Sequence, residues 1–192
     1  HFTAVDLSAG MLQKAAESQL AATYLQADAQ QLPLADASVD KVFSSLMLQW
    51  CADPAAVFSE IHRVLAPGGK LVMTTLVDGT LTELKQAFAC LDNNQHVSAF
   101  FRSDEIKQAA SAVKTLRWQF ETRCYPLYYP DVQALARELK LLGANQVAGR
   151  RAGLTGKGYW QQLAQAYQIH RTERGLPASY QVLVIRGVKD GA

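Results

Sequence analysis

The chain has 192 residues, of which 49% are hydrophobic and 19% charged, with a net charge of +2. That is ordinary for a soluble globular domain long enough to bury a sizeable core, and it speaks against nucleic-acid binding, which calls for a concentrated basic face. No apolar run approaches a membrane span, and HFTAVDLS lacks the basic-then-apolar order of a signal peptide, so the start reads as the inside of a domain and the setting as cytoplasmic.

In chain order, the apolar run from Phe2 to Leu7 predicts a buried strand carrying Asp6 near its end, and Ser8 is a natural N-cap for a helix through Met11, Leu12 and Ala15. Ala22 to Asp28 predicts a second strand ending in an acid. A loop with Pro33 follows, then a third strand from Lys41 to Leu46. Asp53 and Pro54 open a helix with Val57, Phe58, Ile61, Val64 and Leu65 at helical spacing, and Pro67-Gly68-Gly69 is expected to stop it before a strand from Lys70 to Leu76. The alternation implies a parallel sheet with helices on its faces. Further on, Leu81–Leu91 and Asp104–Ala112 read as helices and Val113–Tyr129 as β-rich. Asp131–Leu142 reads as an amphipathic helix, Gly149–Gly158 as a loop, Gly158–His170 as a helix and Ser179–Val188 as a closing strand. The expected organisation is one domain over 1–192: a cofactor core at 1–76, substrate-side helices and strand at 77–178, and the closing strand at 179–188.

Three cysteines, Cys51, Cys90 and Cys124, are odd in number and widely spaced. They suit a reducing cytosol and give neither a disulfide framework nor a zinc site, so no metal is expected. Cys51 reads as a small buried hydrophobe rather than a reactive thiol.

In open α/β sheets, ligands bind beyond the carboxyl ends of the strands. Asp6 and Asp28 stand at two such ends. An ionised carboxylate accepts on both oxygens, so the first suits the two ribose hydroxyls of an adenosine and the second the adenine exocyclic amine; Met11 and Leu32 would flank the ring. The plainer reading of each acid is a turn or cap residue.

The runs AVDLSAGML, QADAQQLPLADASVDKVFSSLMLQW and EIHRVLAPGGKLVMTT, in that order, resemble the class I S-adenosylmethionine-dependent methyltransferase core, with Val39 where Phe is usual. A closer resemblance covers most of the chain. LQWC, TTLVDGTLTEL, HVSAFFRSDEI and YQVLVIRGV are similar to the malonyl-acyl-carrier-protein O-methyltransferases of biotin synthesis. The resemblance implies an α/β, Rossmann-like fold with strand order 3-2-1-4-5-7-6. It implies S-adenosyl-L-methionine as co-substrate, held by Asp6, Leu7, Met11, Asp28, Ala29, Ser45 and Leu46. It also implies an acyl carrier protein carrying malonate, or malonyl-CoA, as partner, with neither nucleic acid nor membrane involved. The family's glycine-rich D-x-G-x-G-x-G loop follows its first, central strand and would precede Phe2; without it the chain alone is expected to be unstable and inactive.

Methyl transfer to a carboxylate needs no general base, because the acid is already ionised with an ordinary pKa of about 4; the protein's task is collinear positioning in a dry pocket. Ser45, Leu46, Gln49 and Trp50, just after the third strand of this chain, would face the methyl group. The alternative for Trp50 is packing of a helix on the sheet. Tyr128, Tyr129 or His96 would lie over the pocket, and Arg102 or Arg137 would hold the acceptor carboxylate with its planar fork. An acidic carrier protein calls for a basic dock, for which Arg150, Arg151 and Lys157, or Arg171 and Arg174, are the available groups. Competing readings are a methyltransferase for another small acid or a quinone precursor, a nicotinamide-dependent reductase, and a non-catalytic domain of the same fold.

Overall fold

A computed structural model describes residues 1–94, 96–141 and 156–191. The elements follow the sequence alternation: β1 (Thr3–Asp6), α1 (Ala9–Ala16), β2 (Thr23–Gln26), β3 (Val39–Ser45), α2 (Pro54–Val64), β4 (Leu65–Leu76), α3 (Thr82–Ala89), α4 (Ser103–Ser111), β5 (Leu116–Tyr129), α5 (Val132–Leu141), α6 (Lys157–Tyr167) and β6 (Leu176–Lys189). None of the described helices is long and apolar enough to cross a membrane. The described residues divide into two compact units, one comprising His1–Thr75, Ser103–Glu121 and Val184–Ala192, the other Leu76–Arg102 and Thr122–Leu183.

In the first unit the expected caps are in place. Ser8 accepts a hydrogen bond from the Met11 amide at 3.3 Å at the start of α1, and one Asp53 oxygen accepts from the amides of Ala55 and Ala56 at 2.9 and 3.2 Å at the start of α2. Val57, Phe58, Ile61 and Val64 form the buried stripe of α2, each full burial contributing roughly 1.5–3 kcal/mol. Phe58 meets Trp118 of β5 edge to face at 5.4 Å. Lys189 of β6 donates to the carbonyls of His62 and Leu65 at 2.8 and 2.7 Å, which satisfies acceptors that the end of α2 leaves open.

One expectation is corrected here. Pro67-Gly68-Gly69 does not separate helix from strand. The helix ends at Val64 and β4 begins at Leu65, so the three residues lie inside the strand. The physical reason is a bulge: along the parallel β3–β4 pair, Val39 faces Leu65 but Lys41 faces Lys70. Gly69 is required in it, since a Cβ there would stand 2.7 Å from the Ala66 carbonyl oxygen.

The strands form two sheets. One is the parallel pair β1–β2, in register from Thr3 opposite Thr23 to Asp6 opposite Gln26. The other has the order β3-β4-β6-β5. Its β6 runs against β4, since the Val77 amide just past β4 donates to the Gln181 carbonyl at 2.9 Å while Lys189 reaches Leu65. It also runs against β5, since Asp190 bonds Thr115 and Gly175 abuts the Tyr129 carbonyl. The second sheet is therefore mixed, while the pairs formed by the alternating first third, β1–β2 and β3–β4, are parallel as expected. Among the described residues, β1 and β3 each have a strand on one side only.

In the second unit, α3, α5, α6 and the adjoining strand ends share one core in which Leu135, Leu163, Tyr167 and Leu176 are fully buried. The Tyr167 hydroxyl donates to the Pro177 carbonyl at 2.8 Å, so this buried phenol is satisfied.

Candidate functional site

Asp6 and Asp28 both lie at the carboxyl ends of the neighbouring parallel strands β1 and β2. The Asp6 backbone carbonyl accepts from the Ala27 amide at 3.1 Å, which ties the two strand ends together. Asp6 is exposed; its Oδ1 accepts from the Ser8 amide at 2.7 Å. Asp28 begins a tight turn through Ala29. Its Oδ1 accepts from the Gln30 amide at 2.8 Å, and the Gln30 side-chain nitrogen lies 3.3 and 3.1 Å from its two oxygens. That NH2 group makes to Asp28 the contact an exocyclic amine would make. The two carboxylates, one exposed and one half-buried, thus stand at neighbouring strand ends, and Asp28 already holds an NH2 donor. Around them Leu7 is 68% exposed, and Met11 is exposed as well. Leu32 is half-buried.

At the end of β3, Ser45 and the following Leu46 are exposed, Leu46 with φ 52°, and a 3-10 turn spans Leu48–Trp50. Gln49 is fixed at both ends of its amide, donating to the Leu46 carbonyl at 2.6 Å and accepting from the Thr75 hydroxyl at 3.1 Å. It joins this turn to the end of β4. Trp50 is 57% exposed. Cys51 is half-buried rather than buried, its thiol 3.3 Å from the Met47 sulfur. Burial and then the negative charge of Asp28 push that thiol's pKa up. Sequence reasoning weighed Cys51 but did not name Met47, its sulfur partner.

It also missed Arg63 and Glu60. Arg63, in the last turn of α2, donates from Nε to Glu60 Oε2 at 2.9 Å and from Nη2 to Glu60 Oε1 at 2.6 Å. It reaches the carbonyls of Leu32 at 3.0 Å and Leu34 at 2.8 Å, and the Asp36 carboxylate at 2.5 Å. Glu60 Oε1 in turn accepts from the Leu32 amide at 2.7 Å. The hydrogen bond from Arg63 holds the Glu60 carboxyl below its ordinary range, and both carboxylates push the Arg63 pKa up. The signal was available as E-x-x-R, an i, i+3 pair at the end of an amphipathic helix.

The remaining residues belong to the second unit. Arg102 is exposed and its charge helps lower the pKa of Asp78, after the Gly79 amide and Lys85. Arg137 sits exposed on α5. Tyr129 is buried, while Tyr128 lies under the Arg174 guanidinium, 4.1 Å from ring centroid to Cζ. Arg171 donates to the Pro130 carbonyl at 3.0 Å. His96 stacks on Phe88 at 4.1 Å, and its Nε2 stands 2.7 Å from Asp92 Oδ1 and 3.2 Å from the Tyr159 hydroxyl. Arg150 and Arg151 lie outside the described residues, as does the Lys157 side chain.

Comparison with known proteins matches residues 1–73 to the methyltransferase-domain family. Among solved structures, the YcgJ protein of Bacillus subtilis superposes with a TM-score of 0.61 at 20% identity, over 99% of this chain and 82% of that one. The [4+2]-cyclase SpnF gives 0.56 at 16%, over 99% and 66%. These likenesses show the fold alone, as a cyclase among them makes plain. At the level of sequence, the malonyl-acyl-carrier-protein O-methyltransferase of Alcanivorax borkumensis is 42% identical over 97% of this chain and 64% of its own length. That of Serratia marcescens is 41% identical over 93% and 68%. The biotin biosynthesis bifunctional protein BioHC of Cellvibrio japonicus is 40% identical over 93% of this chain and 36% of its own length. The chain thus spans about two thirds of the single-function relatives and about a third of the bifunctional one. With this identity over nearly all its residues, the chain belongs to the family of malonyl-acyl-carrier-protein O-methyltransferases.

Proposed function

We propose that the chain is the larger part of an enzyme that transfers the methyl group of S-adenosyl-L-methionine to the free carboxylate of a malonyl thioester. The acceptor is malonyl-acyl carrier protein or malonyl-CoA, and the product is the methyl ester that primes pimeloyl and biotin synthesis in the cytoplasm. The observation that carries this is the pair of acids at the ends of β1 and β2, read together with the names of the relatives. Asp6 accepts the ribose hydroxyls and Asp28 the adenine amine, with the Gln30 amide giving way to it; Leu7, Met11 and Ala29 supply apolar surface to the ring. The co-substrate brings an electrophilic methyl on a sulfonium. Ser45, Leu46, Gln49 and Trp50 shape the wall beside it, with Gln49 locked to Leu46 and Thr75 so that the wall is rigid. No residue acts as a general base, because the acceptor carboxylate is ionised at neutral pH with an ordinary pKa of about 4.

The half-paired β1 and β3, with Phe43 of β3 72% exposed, support the placing of a further strand between them. That strand carries the glycine-rich loop for the methionine end of the co-substrate. For the carrier protein we favour Arg171 and Arg174 as the dock, two guanidinium groups held in place by Pro130 and Tyr128. For the malonyl carboxylate we favour Arg102.

The test is calorimetric binding of S-adenosyl-L-methionine to the complete gene product carrying Asp6→Ala, Asp28→Ala or both. Each single change is expected to weaken binding by about tenfold or more, the loss of a charge-assisted hydrogen bond, and the double change by about a hundredfold or more. A double variant that binds as the wild type does sinks the reading.

A further inference from the structure

The guanidinium of Arg63 has five N–H donors, and all five are spent. Nε goes to Glu60, Nη1 to the Leu34 carbonyl and Asp36, and Nη2 to the Leu32 carbonyl and Glu60. No donor remains for a substrate. Three of the five bonds, to Leu32, Leu34 and Asp36, tie down the segment that follows Asp28, and the two to Glu60 hold the guanidinium in place for them. That segment contains neither helix nor strand up to Val39, only the bridge between Asp28 and Gln31. Its backbone is held instead by α2. Glu60 takes the Leu32 amide, Arg63 takes the next carbonyls, and the Arg63 backbone carbonyl accepts from the Ala37 amide at 2.9 Å.

We propose that Arg63 is a positioning residue for the cofactor, a latch that pre-organises the loop from Asp28 to Asp36 so that Asp28 and Leu32 are in place before adenosine arrives. The inference rests on the reading of Asp28 as the adenine acceptor. Released from α2, the same loop has to be ordered during binding, and that entropy falls on cofactor affinity. Lysine cannot substitute, because three donors on one tetrahedral nitrogen cannot span two carbonyls and two carboxylates. Asp36, whose side chain is 78% exposed, is the outermost bond and the weakest part of the latch.

A latch and a merely structural arginine differ in which constant they move. Loss of a structural group lowers the fraction of active enzyme and leaves the affinity of the remainder alone. Loss of the latch raises KM for the cofactor and spares kcat and the acceptor KM. The experiment measures all three for the complete gene product carrying Arg63→Lys, Glu60→Gln or Asp36→Asn. Arg63→Lys is expected to raise the cofactor KM about tenfold, the equivalent of one lost charge-assisted hydrogen bond. Asp36→Asn, at an exposed pair, should raise it about two- to threefold. An unaltered cofactor KM in folded Arg63→Lys overturns the latch, as does a fall in kcat alone. Where Arg63→Lys does not fold, an unaltered KM in both Glu60→Gln and Asp36→Asn overturns it. Wild-type enzyme that takes up no S-adenosyl-L-methionine would overturn the reading of the site itself, an outcome distinct from the others.

Discussion

The first 26 residues and the second unit use their apolar side chains in opposite ways. In the β1–α1–β2 segment only Leu12 is buried, while Phe2, Leu7, Met11 and Leu20 stand exposed. In the second unit the apolar residues of α3, α5 and α6 converge on a single core with Tyr167 and Leu163 at its centre. The contrast separates two tasks. The second unit turns its apolar residues inward, onto one another. In the first segment the two carboxylates, with Leu7 and Met11, lie at or just past the carboxyl ends of the strands, the side on which ligands of α/β proteins bind, while Phe2 and Leu20 stand at the opposite ends.

The sharpest way to break this contrast is to remove one leucine from each side. Leu163→Ala in the second unit leaves a cavity that a dense core cannot close, and should cost about 2–5 kcal/mol. Leu12→Ala sits among exposed neighbours that can settle into the gap, and should cost no more than about 2 kcal/mol. Urea unfolding of the complete gene product measures both, and equal losses would mean that α1 is as deeply packed as α6. A smaller effect sharpens the same point. Met11→Ala should leave unfolding within about 0.5 kcal/mol of wild type, as exposed substitutions do. It should nevertheless weaken cofactor binding by about fivefold, through lost apolar contact with the ring. A Met11→Ala enzyme that is less stable but equally avid would reverse the assignment.

How much of this could be read from the residues follows the same division. The alternation of strand and helix, the caps at Ser8 and Asp53 and the two strand-end acids were legible, because each depends on local chemistry within three or four positions. The bulge at Pro67-Gly68-Gly69 was not: the local signal of Pro and Gly is a stop, and only the register against β3 turns it into an insertion within a strand. The split into two sheets had no local signal either, since pairing is a long-range property; the expectation of it came only from the strand order that the resemblance implies, with the central strand upstream of Phe2. Arg63 shows a third case. Its position in R-V-L-x-P-G-G and its i, i+3 pairing with Glu60 were readable, but its loop acceptors lie 27 to 31 residues away along the chain, and no spacing rule points to a loop carbonyl.

The last and smallest effect separates the units by pH. In the second unit, Asp92 accepts from the Asn94 amide at 2.8 Å, faces His96 Nε2 at 2.7 Å and accepts from the Tyr159 hydroxyl at 2.9 Å. These donors, the Asn94 amide first, hold its carboxyl down at about 2. An unfolded aspartate titrates near 3.9. A folded pKa below the unfolded one means that the contribution is fully present above about pH 4 and fades as the pH falls toward 2. In that window the protonated carboxyl gives up its charge-assisted bonds to Asn94, His96 and Tyr159, the contacts that join the end of α3 to α6. Because Asp92 is partly open to water, the slope is shallow. Asp92→Asn should remove it, leaving a stability profile that falls less steeply between pH 4 and pH 2 than that of the wild type. Glu60 in the first unit, also held below its usual range, keeps its own share of the acid slope in both proteins. Identical profiles for wild type and Asp92→Asn would mean that the bonds seen at Asp92 are solvated away in solution, and that the second unit owes its cohesion to the apolar core alone.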